Sequence, residues 1–184
     1  FDCDGVLVDS EIIAARVEAE LLTAAGYPIE AEELARLYSG LTFKDIMLRI
    51  EQESQQLFQA SLIAEAEDLV DRRLRAEVRA IDGAAEAVAS VKGKRCICSN
   101  SGTERLRAML TRTHLLSFFD GVVFSSLDTP SAKPKPAPDV FLYGAERMGA
   151  DPAKTFVVED SVHGIAGAKA AGMRVIGFTG ASHS

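Results

Sequence analysis

The sequence predicts an α/β protein, a parallel sheet with crossover helices that is interrupted after its first strand by an all-helical insertion. Three observations support this. From about residue 80 onward, short β-branched apolar runs alternate with helical patterns, the order of a parallel sheet joined by helices. Residues 11–79 show helical periodicity alone. The opening FDCD reads as a strand, yet it stands before that helical block. The block is therefore inserted between the first strand and the rest of the sheet. The boundaries read 1–10 and 80–184 for the sheet unit and 11–79 for the helical unit.

Taken in order, the helical unit begins at 11–25, with Ile12, Ile13, Val17, Leu21 and Leu22 as its apolar positions and Gly26 as a left-handed cap. A helix over 32–39 stops at Gly40. Thr42 is placed to cap a helix running through Ile46, Leu48 and Ile50. A long charged helix follows over 62–78. In the sheet unit, strands are predicted at 95–99, 121–125, 155–159 and 174–178, and helices at 83–91, 104–113, 139–148 and 162–171.

Composition bounds the function. The chain has 184 residues, 47% of them hydrophobic and 26% charged, with a net charge of -7. That is ordinary for a globular protein with a core. The negative balance argues against nucleic acid or an anionic membrane as partner. No run of 18 apolar residues exists, so no membrane span is expected. Cys3, Cys96 and Cys98 form no CxxC. They read as reduced thiols, and a cytoplasmic location is expected. The segment 11–79 holds 14 acidic and 8 basic residues, a solvated acidic surface.

Chemistry gathers where the strands end, which is where ligands bind an open parallel sheet. Asp2 and Asp4 are spaced i, i+2 at the end of the first strand, and Gly5 then allows a sharp turn. Ser99-Asn100-Ser101-Gly102 follows the second, with Ser101 and Glu104 fitting a capping box. Free amides at such a helix start suit a phosphate. Lys133-Pro-Lys135-Pro-Ala-Pro138 leads into the helix at Asp139, its prolines stiffening the backbone. Glu159 and Asp160 precede the small-residue run GIAGAKAAG.

Each station alone has a bland reading: a surface turn, a capped helix, a polyproline linker, a dipole pair. Together they supply carboxylates for a hard divalent cation and hydroxyl, amide and ammonium groups for a phosphoryl group. Two carboxylates about 4 Å apart repel by roughly 4 kcal/mol at an effective dielectric near 20. The acidic cluster therefore calls for a positive partner, a metal and in part Lys135. An EF-hand fails because Gly5 comes too early for the loop. A dinucleotide site fails because Glu159 and Asp160 would face the pyrophosphate and no GxGxxG is present.

DCDGVLVDSE, CICSNS, KPAPD and VVEDSVHGIAGAKAAGM, in this order, resemble the four motifs of the haloacid dehalogenase (HAD) superfamily. The helical insert resembles the small cap of its subfamily I branch, which contains the β-phosphoglucomutases and phosphoglycolate phosphatases. The resemblance spans essentially the whole chain and implies a Rossmann-like core (the HAD fold) with an inserted helical cap. It also implies Asp2 as nucleophile and Asp4 as general acid and base, with the Asp4 carbonyl on the metal. Ser99, Asn100 and Lys135 would hold the phosphoryl group. Glu159 and Asp160 would complete the site of Mg²⁺ begun by Asp2 and Asp4. That family continues beyond both ends of this chain, so residues before Phe1 and after Ser184 are expected.

The implied reaction is hydrolysis of a small phosphorylated metabolite by a monomer, with no nucleic acid and no membrane as partner. The main alternative is a phosphomutase. The β-phosphoglucomutases place a histidine twelve residues after the nucleophile and an arginine in the cap loop; here those positions are Ala14 and Phe43. Phe43 binds no phosphate, and Lys44 offers a point charge in place of a fork. A metal-free dehalogenase would have no use for Asp4, Glu159 and Asp160. A phosphoaccepting signalling module is the non-enzymatic rival, but it would carry its acceptor after a middle strand and lack a long helical insert. His163 is expected at the surface, and His114 and His183 carry no signal.

Overall fold

A computed structural model describes residues 1–38, 41–54 and 56–181. The chain divides into two compact units, one built from Phe1–Asp9 together with the chain from Val78 onward, the other from Ser10–Glu77. The end of the predicted 32–39 helix, the cap-loop residues Ser39 and Gly40, and His183 lie outside the described residues.

In the first unit, β1 (Ile97–Ser99) pairs in parallel with β2 (Val123–Ser125), and β3 (Phe156–Glu159) pairs in parallel with β4 (Arg174–Gly177). The opening segment joins the two pairs. The Phe1 nitrogen donates to the Cys96 carbonyl, Cys98 N–H donates to the Phe1 carbonyl, and Asp2 N–H donates to the Val158 carbonyl. The lateral order is thus β2, β1, opening segment, β3, β4. Apolar side chains of this layer pack on helices α7 (Asp139–Met148) and α8 (Val162–Ala170): Cys98 and Val157 meet Val140, Phe141, Ala145 and Ala168. Helices α5 (Ala84–Ser90) and α6 (Thr103–Arg112) complete the unit. The chain is of the α/β class, as the alternation predicts.

Every strand starts one or two residues later than the apolar runs suggest, except β4, and the opening segment forms no regular strand, meeting β1 and β3 with backbone bonds at Phe1 and Asp2. Gly5 then turns the chain with φ +74°, a conformation that costs glycine nothing. Three amides, of Val6, Leu7 and Val8, converge on the Cys3 carbonyl and close this turn.

The second unit is all helical: α1 (Glu11–Ala24), α2 (Ala31–Leu37), α3 (Phe43–Ser54) and α4 (Ser61–Glu77). Gly26 ends α1 at φ +96°. Thr42 caps α3, its Oγ1 accepting from Asp45 N–H at 3.2 Å. Leu22, Leu34, Ile46 and Ile50 form its core with Tyr38 and Met47. No helix among the described residues is long and apolar enough to cross a membrane.

Glu18 on α1 gives this unit a testable pH dependence. Burial, assisted by the Glu11 carboxylate, pushes its carboxyl up to about 7. An unfolded chain ionises it near the ordinary value of about 4.3. The folded chain therefore holds this proton more tightly. The contribution of Glu18 to stability is complete below about 4.3 and is lost as pH rises through 7. Glu18→Gln is expected to melt higher than wild type at pH 8 and alike at pH 5; an offset that does not change between the two pH values would contradict this.

Candidate active site

The carboxyl ends of the opening segment, β1 and β3 face one edge of the sheet, and they bring the separate polar stations together. Asp2 lies on the central segment, 6% exposed. Glu159 closes β3 and is 1% exposed; Lys135, from the proline-rich loop before α7, is 7% exposed. The Lys135 ammonium donates to Asp2 Oδ1 at 2.5 Å and to Glu159 Oε1 at 2.8 Å. Its Nζ also stands 5.0 Å from the centre of the Phe141 ring, a cation–π contact. Burial alone would lower the Lys135 pKa, but Asp2 and Glu159 outweigh it and hold the ammonium above the usual lysine range.

Asp2, Glu159 and Asp160 each offer a carboxylate oxygen within 4.8 Å of the others. Three carboxylates gather around one ammonium, Asp2 and Glu159 buried and Asp160 half-buried, and all the donors are hard oxygens. That set fits Mg²⁺ or another hard divalent cation and does not fit a thiophilic one. Burial pushes the Asp2 carboxyl up to about 7, opposed by Lys135 and supported by Glu159 and Asp4.

Asp4 behaves differently. Its side chain lies outside this three-carboxylate cluster and turns to the β1–α6 loop. Asp4 Oδ2 accepts from Ser99 Oγ at 3.2 Å and from Ser101 Oγ at 2.8 Å. Ser99 Oγ in turn accepts from Ser101 N–H at 3.0 Å. The expected capping box of Ser101 and Glu104 does not form: Gly102 is the N-cap of α6 and makes no side-chain cap bond. The Asn100 side chain is bonded to the backbone of Lys135. Asn100 Oδ1 accepts from Lys135 N–H at 2.8 Å, and the amide nitrogen approaches the Lys135 carbonyl at 3.5 Å. Asn100 thus fixes the loop that presents the lysine.

Three further residues belong to this constellation without having been assigned to the site from the sequence. Ser101 is the first. Ser161 is the second: its N–H and its Oγ both donate to Glu159 Oε2, at 2.7 and 2.9 Å, while the same Oγ caps α8 by accepting from Gly164 N–H. Gly164 is the third. A Cβ at this position would overlap the Glu159 carboxylate. Gly167, one turn on, has the carbonyls of Pro136 and Ala137 at 3.1 Å from where its Cβ would be. The run GIAGAKAAG therefore lets α8 approach both Glu159 and the lysine loop. A serine directly after ED, with glycine three residues later, was the available signal. His163 is exposed, and Cys3 and Cys98 are buried.

The chain matches the family described as hydrolase, haloacid dehalogenase-like hydrolase, over residues 1–172. It is 28% identical to 6-phosphogluconate phosphatase of Escherichia coli strain K12, covering 100% of this chain and 83% of that one. It is 32% identical to hexitol phosphatase B of the same organism, covering 96% of this chain and 80% of that one. Among solved structures, it superposes with a TM-score of 0.95 on a conserved haloacid dehalogenase-like protein of unknown function from Agrobacterium tumefaciens; the two are 53% identical over 100% of this chain and 83% of the other.

Proposed function

Because the chain belongs to the haloacid dehalogenase-like hydrolases and is a phosphoric monoester hydrolase, we propose that it hydrolyses a small phosphorylated sugar, sugar acid or polyol in a Mg²⁺-dependent reaction through an aspartyl-phosphate on Asp2. The observation that carries this reading is the buried set of Asp2, Lys135 and Glu159 beside the half-buried Asp160, with Asp4 held apart from it on serine hydroxyls.

In this reading an Asp2 oxygen attacks phosphorus and the bond from phosphorus to the leaving oxygen breaks. Asp4 gives that oxygen its proton, so the first product leaves as an alcohol. Water then attacks the aspartyl-phosphate, Asp4 takes its proton, and the Asp2 carboxylate is regenerated with release of inorganic phosphate. Ser99 and Lys135 hold phosphoryl oxygens, and Asn100 acts through the backbone of Lys135. Asp2, Glu159, Asp160 and the Asp4 carbonyl would hold the cation. When bound there, Mg²⁺ reduces the repulsion between the Asp2 carboxylate and the phosphate oxygens.

Residues 1–10 and 80–184 serve as the catalytic core and 11–79 as the cap that reads the leaving group. Specificity for phosphorylated six-carbon acids and polyols is supported by the names of the two phosphatases above. Ala14 and Phe43, standing where a mutase would carry histidine and arginine, favour water as the acceptor.

The test is a panel of 6-phosphogluconate, hexitol phosphates, fructose 1-phosphate and phosphoglycolate, read by phosphate release with Mg²⁺ and with chelator. A six-carbon substrate is expected to turn over fastest, and only with the metal. No release from any of them would overturn the reading. Glucose 6-phosphate forming from β-glucose 1-phosphate faster than inorganic phosphate would make the protein a mutase.

A further inference from the structure

In the structure, Ser101 has a partner other than the one its sequence assigns. It has the position and the partner of a capping residue, yet α6 takes Gly102 as its N-cap and leaves that cap without a side-chain bond. The hydroxyl goes instead to Asp4 Oδ2, 97 positions away in the chain, at 2.8 Å. Ser99 Oγ reaches the same oxygen at 3.2 Å while accepting from Ser101 N–H. The two hydroxyls, the Ser101 N–H and the one carboxylate oxygen form a closed ring between the end of β1 and the start of α6.

A serine hydroxyl has one proton to donate. Ser99 cannot direct its proton to Asp4 and to a phosphoryl oxygen at once. On the phosphatase reading above, on which this inference rests, Ser99 turns to the phosphoryl group when substrate arrives. Asp4 then loses one of its two serine donors at the moment it must hold its place beside the leaving oxygen. Ser101 is two residues further on and makes the shorter bond. We propose that Ser101 is the positioning residue of the Asp4 acid–base: it keeps the carboxylate aimed across both chemical steps while Ser99 transfers its hydrogen bond to the substrate. Ser101 touches no reacting atom in this account and acts through Asp4.

The role predicts a signature that a merely structural tie between two loops would not produce. Positioning matters where Asp4 must deliver a proton, and a sugar or polyol alkoxide leaves only with one. A p-nitrophenolate leaves without it. In Ser101→Ala, kcat/KM for the fastest alkyl phosphate of the panel should fall by about 10- to 100-fold, a fraction of a full general-acid contribution. For p-nitrophenyl phosphate, kcat/KM should stay within about threefold, because it reports only the first step. The second step still needs Asp4 to activate water, so kcat for p-nitrophenyl phosphate should fall, and a burst of nitrophenolate stoichiometric with enzyme should precede slow turnover.

Ser101→Thr keeps a hydroxyl and should restore both substrates. A crystal structure of Ser101→Ala should show the Asp4 carboxylate turned from its wild-type orientation. If the alanine variant does not fold, Ser101→Cys, with a side chain of similar length and a poor donor, carries the same comparison. Equal loss of kcat/KM on the two substrates, or no loss on either, overturns the positioning role while the phosphatase reading stands. Wild-type enzyme inert toward all of the phosphate esters overturns both.

Discussion

Asp2→Asn is expected to lower phosphate release by roughly four orders of magnitude or more, as when other covalent nucleophiles are removed, while the protein stays folded. The chemistry is lost because an amide oxygen carries no charge with which to attack phosphorus. The fold is kept for a reason visible in the ion set. Lys135 bonds two carboxylates, and when Asp2 loses its charge the ammonium retains Glu159 at 2.8 Å. No buried cation is orphaned, so the penalty of about 3–5 kcal/mol for breaking a buried pair does not apply in full. The asparagine also removes a carboxylate whose burial, aided by the Glu159 and Asp4 charges, pushes it up to about 7. Circular dichroism and a melting curve check the fold, and phosphate release checks the chemistry. A folded variant that keeps about a hundredth or more of wild-type activity would remove Asp2 from the nucleophile's position.

Much of this site was legible in the sequence because its parts are local. A carboxylate pair at i, i+2, a proline-stiffened lysine and an acidic pair before a helix each announce themselves within ten residues. What periodicity cannot show is where a parallel strand begins, since that depends on when a neighbour comes alongside. Hence 95–99 and 121–125 read as strands, while pairing begins at Ile97 and Val123. The missed residues share one cause. Ser101 satisfies the local rule for a cap, worth about 1 kcal/mol, but a bond to the Asp4 carboxylate is charge-assisted and worth about 1.5–3 kcal/mol. The distant partner outbids the local one, and nothing within ten residues of Ser101 reveals it. The bond from Lys135 N–H to Asn100 Oδ1, 35 residues away, is likewise one that no local rule announces. Cys96, just before β1, and Cys98 within it bring their Sγ atoms to 4.0 Å.

Gly164→Ala is expected to destabilise the protein and to abolish most of its activity, against the sign that helix propensity gives. Gly164 lies inside α8, where replacing glycine by alanine on an open face would gain about 1 kcal/mol. Here the added methyl would overlap the Glu159 carboxylate. Glu159 has little room to yield: Lys135 holds one of its oxygens, Ser161 holds the other through two bonds, and the Glu159 carbonyl accepts from Phe178 N–H. Either α8 moves outward, at the overpacking cost of about 1–3 kcal/mol, or the carboxylate leaves Lys135 and approaches the cost of a broken buried pair, about 3–5 kcal/mol. Subtracting the propensity gain leaves a net loss of about 2–4 kcal/mol on the second route. Displacing Glu159 also disturbs the oxygens proposed to hold the cation, so turnover should drop by about 10- to 100-fold even in the folded fraction. Gly167→Ala, whose methyl would meet backbone carbonyls at 3.1 Å, tests the steric route without touching a carboxylate and should cost stability more than metal affinity. The decisive comparison is a double-mutant cycle. If the clash with Glu159 is the cause, Glu159→Ala and Gly164→Ala together should be less destabilising than the sum of the two alone. Strict additivity, or a Gly164→Ala enzyme as active as wild type and melting higher, would mean that Glu159 does not lie against α8.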